Sequence, residues 1–265
     1  LGGVITNCYL GLTPDAPVQN YIAIVTPVDF DHGGLFKTWL GHEAFPTEQL
    51  VRQFGGVPTH MMGMGFKMLR PTGDAAAMSG LWLNLDKKDY IPVFKAMDRW
   101  ANDFVGMPGQ FFRQIQHELY SQNKMLKGEL MLRGRRVDLR AIRQPMFVAG
   151  TEADHVSPWR SVFKLNLLSD TAVTFLLTSG GHNAGIVSEP GHAGRSYRVS
   201  TKTELDQFVD PETWFDRTPV REGSWWPAWA AWLSGRSGPM QSPPPMAGGG
   251  HRVLGDAPGT YVLRT

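Results

Sequence analysis

Residues 145–185 decide the fold. They contain Pro145-Met-Phe-Val-Ala-Gly-Thr-Glu-Ala-Asp154-His-Val-Ser-Pro-Trp159 and, a helix-length interval later, Ala172-Val-Thr-Phe-Leu-Leu-Thr-Ser-Gly-Gly-His182-Asn-Ala-Gly185. Each stretch opens with a short, unbroken apolar run. Such runs, bounded by turn residues and lacking polar alternation, read as strands buried on both faces of a parallel sheet. Between them, Trp159 to Leu168 has helical spacing. Strand, loop, helix and strand in that order predict an α/β architecture. Catalytic groups of open α/β sheets gather at the carboxyl ends of the strands. An Asp leaving one strand and a His leaving the next therefore point to acid–base chemistry. The carboxylate of Asp154 would orient the imidazole of His182, and the imidazole would deprotonate a nucleophile. In α/β-hydrolases the chain order is nucleophile, acid, His, and these two residues fit the last two places. The competing reading is a surface His beside a helix-capping Asp.

The same reading extends to both sides. Leu1 to Leu12 has the spacing of a short buried helix, and Tyr21-Ile-Ala-Ile-Val25 reads as a buried strand. From about Gly41 to Arg136 no buried strand stands out. Helical segments there, Met61 to Leu69, Pro92 to Asp103 and Pro108 to Lys124, are rich in Met and aromatics. The expected organisation is an α/β core at 1–41, a helical insertion at 42–136, the returning core at 137–234 and a Pro/Gly-rich tail at 235–265. Within the last core segment Trp225, Trp226, Trp229 and Trp232 fall on one broad helical face, which reads as docking onto the body of the protein. The tail from Gly235 to Gly250 reads as poorly ordered.

Composition removes several classes. The 265 residues are 42% hydrophobic and 19% charged, ordinary for a folded domain. A formal charge of +2 lacks the basic excess of a dedicated nucleic-acid binder. The exposed-looking cations Lys127, Arg133, Arg135, Arg136, Arg140 and Arg143 read as a solvated face. A single cysteine, Cys8, excludes a disulfide framework and a Cys-based zinc site within the chain, and no metal or other cofactor is expected. No apolar run approaches the roughly 18 residues of a membrane span.

The nucleophile is the missing element. An elbow nucleophile sits in a G-x-S-x-G or G-x-C-x-G box, and the chain contains none. Cys8 lacks flanking glycines and falls inside the first helix, so it reads as a small buried residue. Leu1-Gly2-Gly3 followed by a buried helix, in contrast, has the form of what comes directly after an elbow nucleophile. The nucleophile is expected immediately before Leu1, with the backbone N–H of Leu1 as an oxyanion donor. On that expectation the chain is the later part of a longer enzyme and inactive by itself.

These stretches resemble polyhydroxyalkanoate synthases, which make bacterial storage polyesters. Leu1-Gly2-Gly3 resembles the end of their Gly-x-Cys-x-Gly-Gly box, and Thr26-Pro27-Val28-Asp29-Phe30 their motif after the nucleophile helix. Trp100-Ala-Asn102-Asp103 through Met107-Pro108-Gly109 is a degenerate copy of another family segment. Tyr120-Ser-Gln-Asn123 through Gly128 and Val137-Asp138-Leu139 are similar to the stretch before the acid strand. Asp154 to Trp159, Gly181 to Val187, Gly223-Ser224-Trp225-Trp226-Pro227 and Ala257 to Val262 carry the resemblance through the C-terminal end.

The resemblance implies an α/β-hydrolase fold, with its first strands lying outside this chain, and a helical cap. It implies a Cys-Asp-His triad in which Asp154 and His182 are the acid and the base. The substrate class would be (R)-3-hydroxyacyl-coenzyme A, polymerised with release of coenzyme A, and no cofactor would be needed beyond that thioester. His155 and Trp159, beside the acid, read either as residues shaping the mouth of the pocket or as local packing of the loop. A homodimer formed through the cap, and a cytoplasmic location at the granule surface, are further implications. A related thioesterase, esterase or polyester depolymerase is the alternative, and a non-catalytic granule-associated homologue is a third reading.

Overall fold

The computed structural model describes residues 1–245, 250–257 and 259–260. Nine strands and twelve α-helices alternate among these residues. The strands are β1 (Tyr21–Ile24), β2 (Gly56–Val57), β3 (Met107–Pro108), β4 (Met131–Leu132), β5 (Arg135–Arg136), β6 (Met146–Thr151), β7 (Val173–Thr178), β8 (Ser196–Lys202) and β9 (Arg221–Glu222). The helices begin with α1 (Gly2–Leu12), α2 (Gly34–Leu40), α3 (Thr47–Phe54), α4 (Thr59–Met68), α5 (Gly73–Trp82) and α6 (Tyr90–Asn102). They continue with α7 (Gly109–Gln114), α8 (Lys124–Lys127), α9 (Trp159–Phe163), α10 (Leu165–Leu168), α11 (Pro211–Arg217) and α12 (Trp226–Ser234).

The central sheet has the order β1-β6-β7-β8-β9. Tyr21 pairs with Met146 and Met146 with Val173, both in parallel register, whereas β8 and β9 run antiparallel. The result is a mixed α/β architecture with a mostly parallel core. Every residue of β6 and β7 is buried, as their uninterrupted apolar runs require. One face of the sheet carries the larger core, with Leu10, Val28, Ile142, Val148, Phe163, Phe175 and Trp214. On the other face, Trp225 stacks near Phe147 and α12 lies across Phe147, Ala149 and Leu176. The tryptophan face thus docks on the body of the protein.

Three local readings change. Gly150 and Thr151 belong to β6 rather than to the following loop, because the ladder with β7 continues through them. The predicted helix over Pro108–Lys124 is α7 followed by a π-helical turn, Ile115–Ser121, and it stops at Asn123, whose φ is +51°. The antiparallel strands β8 and β9 have no counterpart in the sequence reading. Residues of β8 are half-buried along nearly its whole length and those of β9 are exposed, so neither strand carries an apolar signal.

Between β1 and β6 the chain is mostly helical, with only the two-residue ladders β2–β3 and β4–β5. Met61 and Met62 of α4 pack near Val51, Val57 and Phe112, whereas Met64 and Met68 are exposed. Helices α5 and α6 bury none of their residues. The cations at Lys127, Arg133, Arg135, Arg136, Arg140 and Arg143 are all exposed. Of the tail, residues 246–249, 258 and 261–265 lie outside the described residues, and with them part of the Ala257 to Val262 motif.

Candidate active site

Two loops leave adjacent parallel strands and are stitched together by their own backbones. After β6, the Glu152 N–H donates to the Thr178 carbonyl and the Ala153 N–H to the Gly180 carbonyl, both at 2.9 Å. The sheet ladder is thereby prolonged past its last paired residues, and Asp154 is brought beside the loop that follows β7. Its carboxylate is fully shielded from solvent. Oδ1 accepts the backbone N–H groups of Val156 at 2.8 Å and Ser157 at 2.7 Å. Oδ2 accepts the Thr151 hydroxyl at 3.3 Å and lies 2.8 Å from His182 Nδ1. A buried carboxylate persists only with such a set of donors.

The carboxylate is a pure acceptor, so the shared hydrogen sits on His182 Nδ1 and leaves Nε2 as the basic nitrogen. Among the described residues Nε2 has no hydrogen-bond partner, and the ring is 29% exposed. The loop that carries it needs glycine. Gly180 has a φ of +97°, and a Cβ at Gly185 would lie 2.7 Å from Thr151 Cγ2 and 2.8 Å from the Ser179 carbonyl. Beyond the His, the indole N–H groups of Trp225 and Trp226 donate to the carbonyls of Gly185 and Ile186 at 3.1 and 2.9 Å. The tryptophans that dock α12 therefore also hold the far end of the histidine loop.

Helix α1 begins at the same edge of the sheet. A Cβ on Gly3 would fall 1.9 Å from Thr26 Oγ1, so only glycine lets the first turn press against the end of β1. Leu1 precedes that turn and is exposed. The start of α1 thus lies against the end of β1, the strand that neighbours the one delivering Asp154. Cys8 sits two turns further on. Burial pushes its thiol up to about 11, so it is protonated near neutral pH and unsuited to nucleophilic work.

The other two predicted site residues behave differently. His155 is half-buried, and its carbonyl faces Gly34. Trp159 is 5% exposed and forms part of the core, with Phe163, Phe175, Trp214 and Phe215 around it and the Arg160 guanidinium 4.7 Å above its ring. It floors the acid loop from beneath. Among the described residues no group of His, Cys, Asp or Glu side chains is arranged to hold a metal ion.

A second Asp–His pair went unread in the sequence. Asp29, buried after β1, places Oδ2 2.8 Å from His32 Nδ1. Its Oδ1 accepts the Asp31 N–H at 3.1 Å and the Asn123 amide at 2.9 Å. Asn123 Oδ1 in turn accepts the Phe30 N–H at 3.0 Å. The Ser161 hydroxyl of α9 accepts the N–H groups of Val28 and Asp29 at 3.2 and 3.0 Å and so ties this loop to the helix after the acid. Asp29 and Asn123 lie in two of the stretches quoted for their resemblance, and the structure brings those stretches into contact.

No family model matches the chain. The poly(3-hydroxyalkanoate) polymerase subunit PhaC of Rhizobium meliloti is 29% identical over 269 residues, which is 99% of this chain and 42% of that protein. The chain is similar over nearly its whole length to poly(3-hydroxyalkanoate) polymerase subunits. The subunit from Cupriavidus necator is 27% identical over 277 residues, covering 99% of this chain and 45% of its own length. Polymerase 2 of Ectopseudomonas oleovorans is 35% identical over 131 residues, 49% of this chain and 23% of that polymerase. The chain thus spans less than half the length of the polymerases it matches.

Proposed function

We propose that this chain supplies the acid and the base of a polyhydroxyalkanoate polymerase, an acyltransferase that joins (R)-3-hydroxyacyl groups from coenzyme A into polyester. The observation that carries the reading is the 2.8 Å contact between Asp154 Oδ2 and His182 Nδ1 at neighbouring parallel strand ends, within a chain similar to such polymerases. On the family's Gly-x-Cys-x-Gly-Gly pattern, the thiol stands at the position before Leu1. Nε2 of His182 takes the thiol proton, and the thiolate adds to the thioester carbonyl. The backbone N–H of Leu1 is one donor to the resulting oxyanion. Coenzyme A leaves as a thiol, receiving its proton from Nε2, and the acyl group stays on the cysteine. Asp154 holds the tautomer and steadies the imidazolium.

The finer architecture belongs to the same proposal. Residues 1–41 and 137–234 would form an α/β-hydrolase core, residues 42–136 a cap that takes part in a homodimer, and residues 235–265 a tail. No cofactor is required, and His155 remains a candidate for the pocket mouth. The product would collect in granules, which the protein would coat. Among the described residues no helix is long and apolar enough to cross a membrane.

The test is product analysis with (R)-3-hydroxybutyryl-coenzyme A and the full-length protein that contains this chain. Insoluble polymer and free coenzyme A are expected, and His182→Ala should remove acyl-enzyme formation. Free 3-hydroxy acid without polymer would assign the protein to the thioesterases instead. Full activity in His182→Ala would exclude the triad.

A further inference from the structure

An apolar cavity of about 120 Å³ lies beneath the first turns of α1. One wall is the stripe Leu1, Val4, Ile5 and Cys8, spaced i, i+3, i+4 and i+7 along the helix. The facing wall includes Leu119 of the π-helical turn and Leu132 of β4, and the only other polar side chain is Gln114. Val4 and Leu119 on its inner side are buried, whereas Leu1 and Ile5 at its rim are exposed. Apolar cavities take up apolar guests; an enclosed one of about 150 Å³ lined by Leu, Ile and Phe accepts benzene. By that scale this one admits an alkyl group of about three to four carbons.

We infer that this cavity receives the alkyl substituent on C3 of the hydroxyacyl group and sets the acyl length that the enzyme accepts. The inference rests on the function proposed above and deepens it. Leu1, exposed at the rim of the cavity, is the residue that would adjoin the acylated thiol, so a substituent three bonds from the thioester carbonyl carbon lies within reach of it. Its chemistry fits an unbranched hydrocarbon: no charged side chain lines it, and the Cys8 thiol is held protonated by burial. Cys8 and Leu132, on opposite walls, are then specificity-determining residues without a part in bond making.

Two measurements decide it. In the full-length protein with every cysteine but Cys8 replaced by Ala, alkylation of Cys8 by N-ethylmaleimide at pH 9 is followed with hexanol or glycerol as the added probe. Hexanol should slow the reaction several-fold and glycerol should not; equal rates with both would remove the cavity as a binding site. In the polymerising protein, kcat/KM is compared for 3-hydroxybutyryl- and 3-hydroxyoctanoyl-coenzyme A. Cys8→Phe should lower the octanoyl-to-butyryl ratio by about tenfold, and Leu132→Ala should raise it, since one or two methylenes in an apolar pocket are worth that much. Polymer formation with an unchanged ratio in Leu132→Ala and in folded Cys8→Phe would overturn the assignment and leave the polymerase reading intact. Absence of coenzyme A release from either thioester by the parent protein would overturn the polymerase reading and the acyl assignment with it.

Discussion

The molecule holds two Asp–His pairs with the same 2.8 Å separation between Oδ2 and Nδ1, and they have different consequences. Asp29 and His32 are three residues apart, at the two ends of a single 3₁₀ turn, and Asp29 is the N-cap of that turn. Its Oδ1 accepts the Asp31 N–H and the distant Asn123 amide, and His32 is 52% exposed. Asp154 and His182 are joined across two strand-end loops, with two helices and a strand between them in sequence. Their loops are cross-linked by backbone hydrogen bonds, packed glycines and two tryptophan indoles. A short Asp–His distance is therefore not a site. What distinguishes the second pair is that its imidazole is fixed from outside its own turn, with Nδ1 bonded to Asp154 and Nε2 without a hydrogen-bond partner among the described residues.

The largest predicted effect follows from that difference. Asp154→Asn keeps an acceptor for the Val156 and Ser157 N–H groups, so the loop should survive. Its amide would face Nδ1 and force the hydrogen onto Nε2, the wrong tautomer for taking a proton. Coenzyme A release should fall by about 10³–10⁴-fold, the scale known for the equivalent change in a serine protease triad. Stability measured by urea unfolding should change far less. A loss under about tenfold would erase the functional distinction between the two pairs.

The next effect is on stability and belongs to the other pair. Asn123→Ala removes one side chain that serves both Asp29 and the Phe30 N–H, and it puts alanine at a φ of +51°. The combined cost should be about 2–4 kcal/mol in denaturant unfolding. Asn123→Gly relieves only the backbone part and should recover about 1 kcal/mol of it. If both variants were as stable as the parent, the Asp29 network would not brace this edge of the sheet.

How much of this was legible in sequence depends on where each signal resides. The runs of β6 and β7 are buried on both faces, so their unbroken apolar character announced them, and the acid and histidine followed from position at their ends. The tryptophan face of α12 was readable for the same reason: a helical period with a strong apolar stripe. Strands β8 and β9 were not, because residues such as Ser196, Arg198, Ser200 and Lys202 are half-buried and stabilised mainly by ladder hydrogen bonds. For Trp159 the sequence leaves pocket mouth and local packing both open. Its helix turns it inward to meet Phe163 and Trp214, a contact that depends on α11, far along the chain. The Asn123–Asp29 contact is the clearest limit. Each residue lay in a stretch that looked distinctive, but their meeting needs the chain to return after the whole helical excursion, and no local pattern encodes a return.

The smallest predicted effect completes the contrast. His32→Ala deletes a ring that is half in solvent, so its ion pair with Asp29 is screened and should be worth no more than about 1 kcal/mol. Asp29 would keep the Asn123 amide and the Asp31 N–H, enough to hold the turn. Unfolding midpoints should move slightly, and coenzyme A release should stay within about threefold of the parent value, because nothing that His32 touches reaches His182. Identical bond lengths would then yield a loss of several orders of magnitude at one pair and almost none at the other. A large loss of turnover in a folded His32→Ala protein would mean the reverse: that the loop after β1 acts on the reaction, through Ser161 and the helix that follows Asp154.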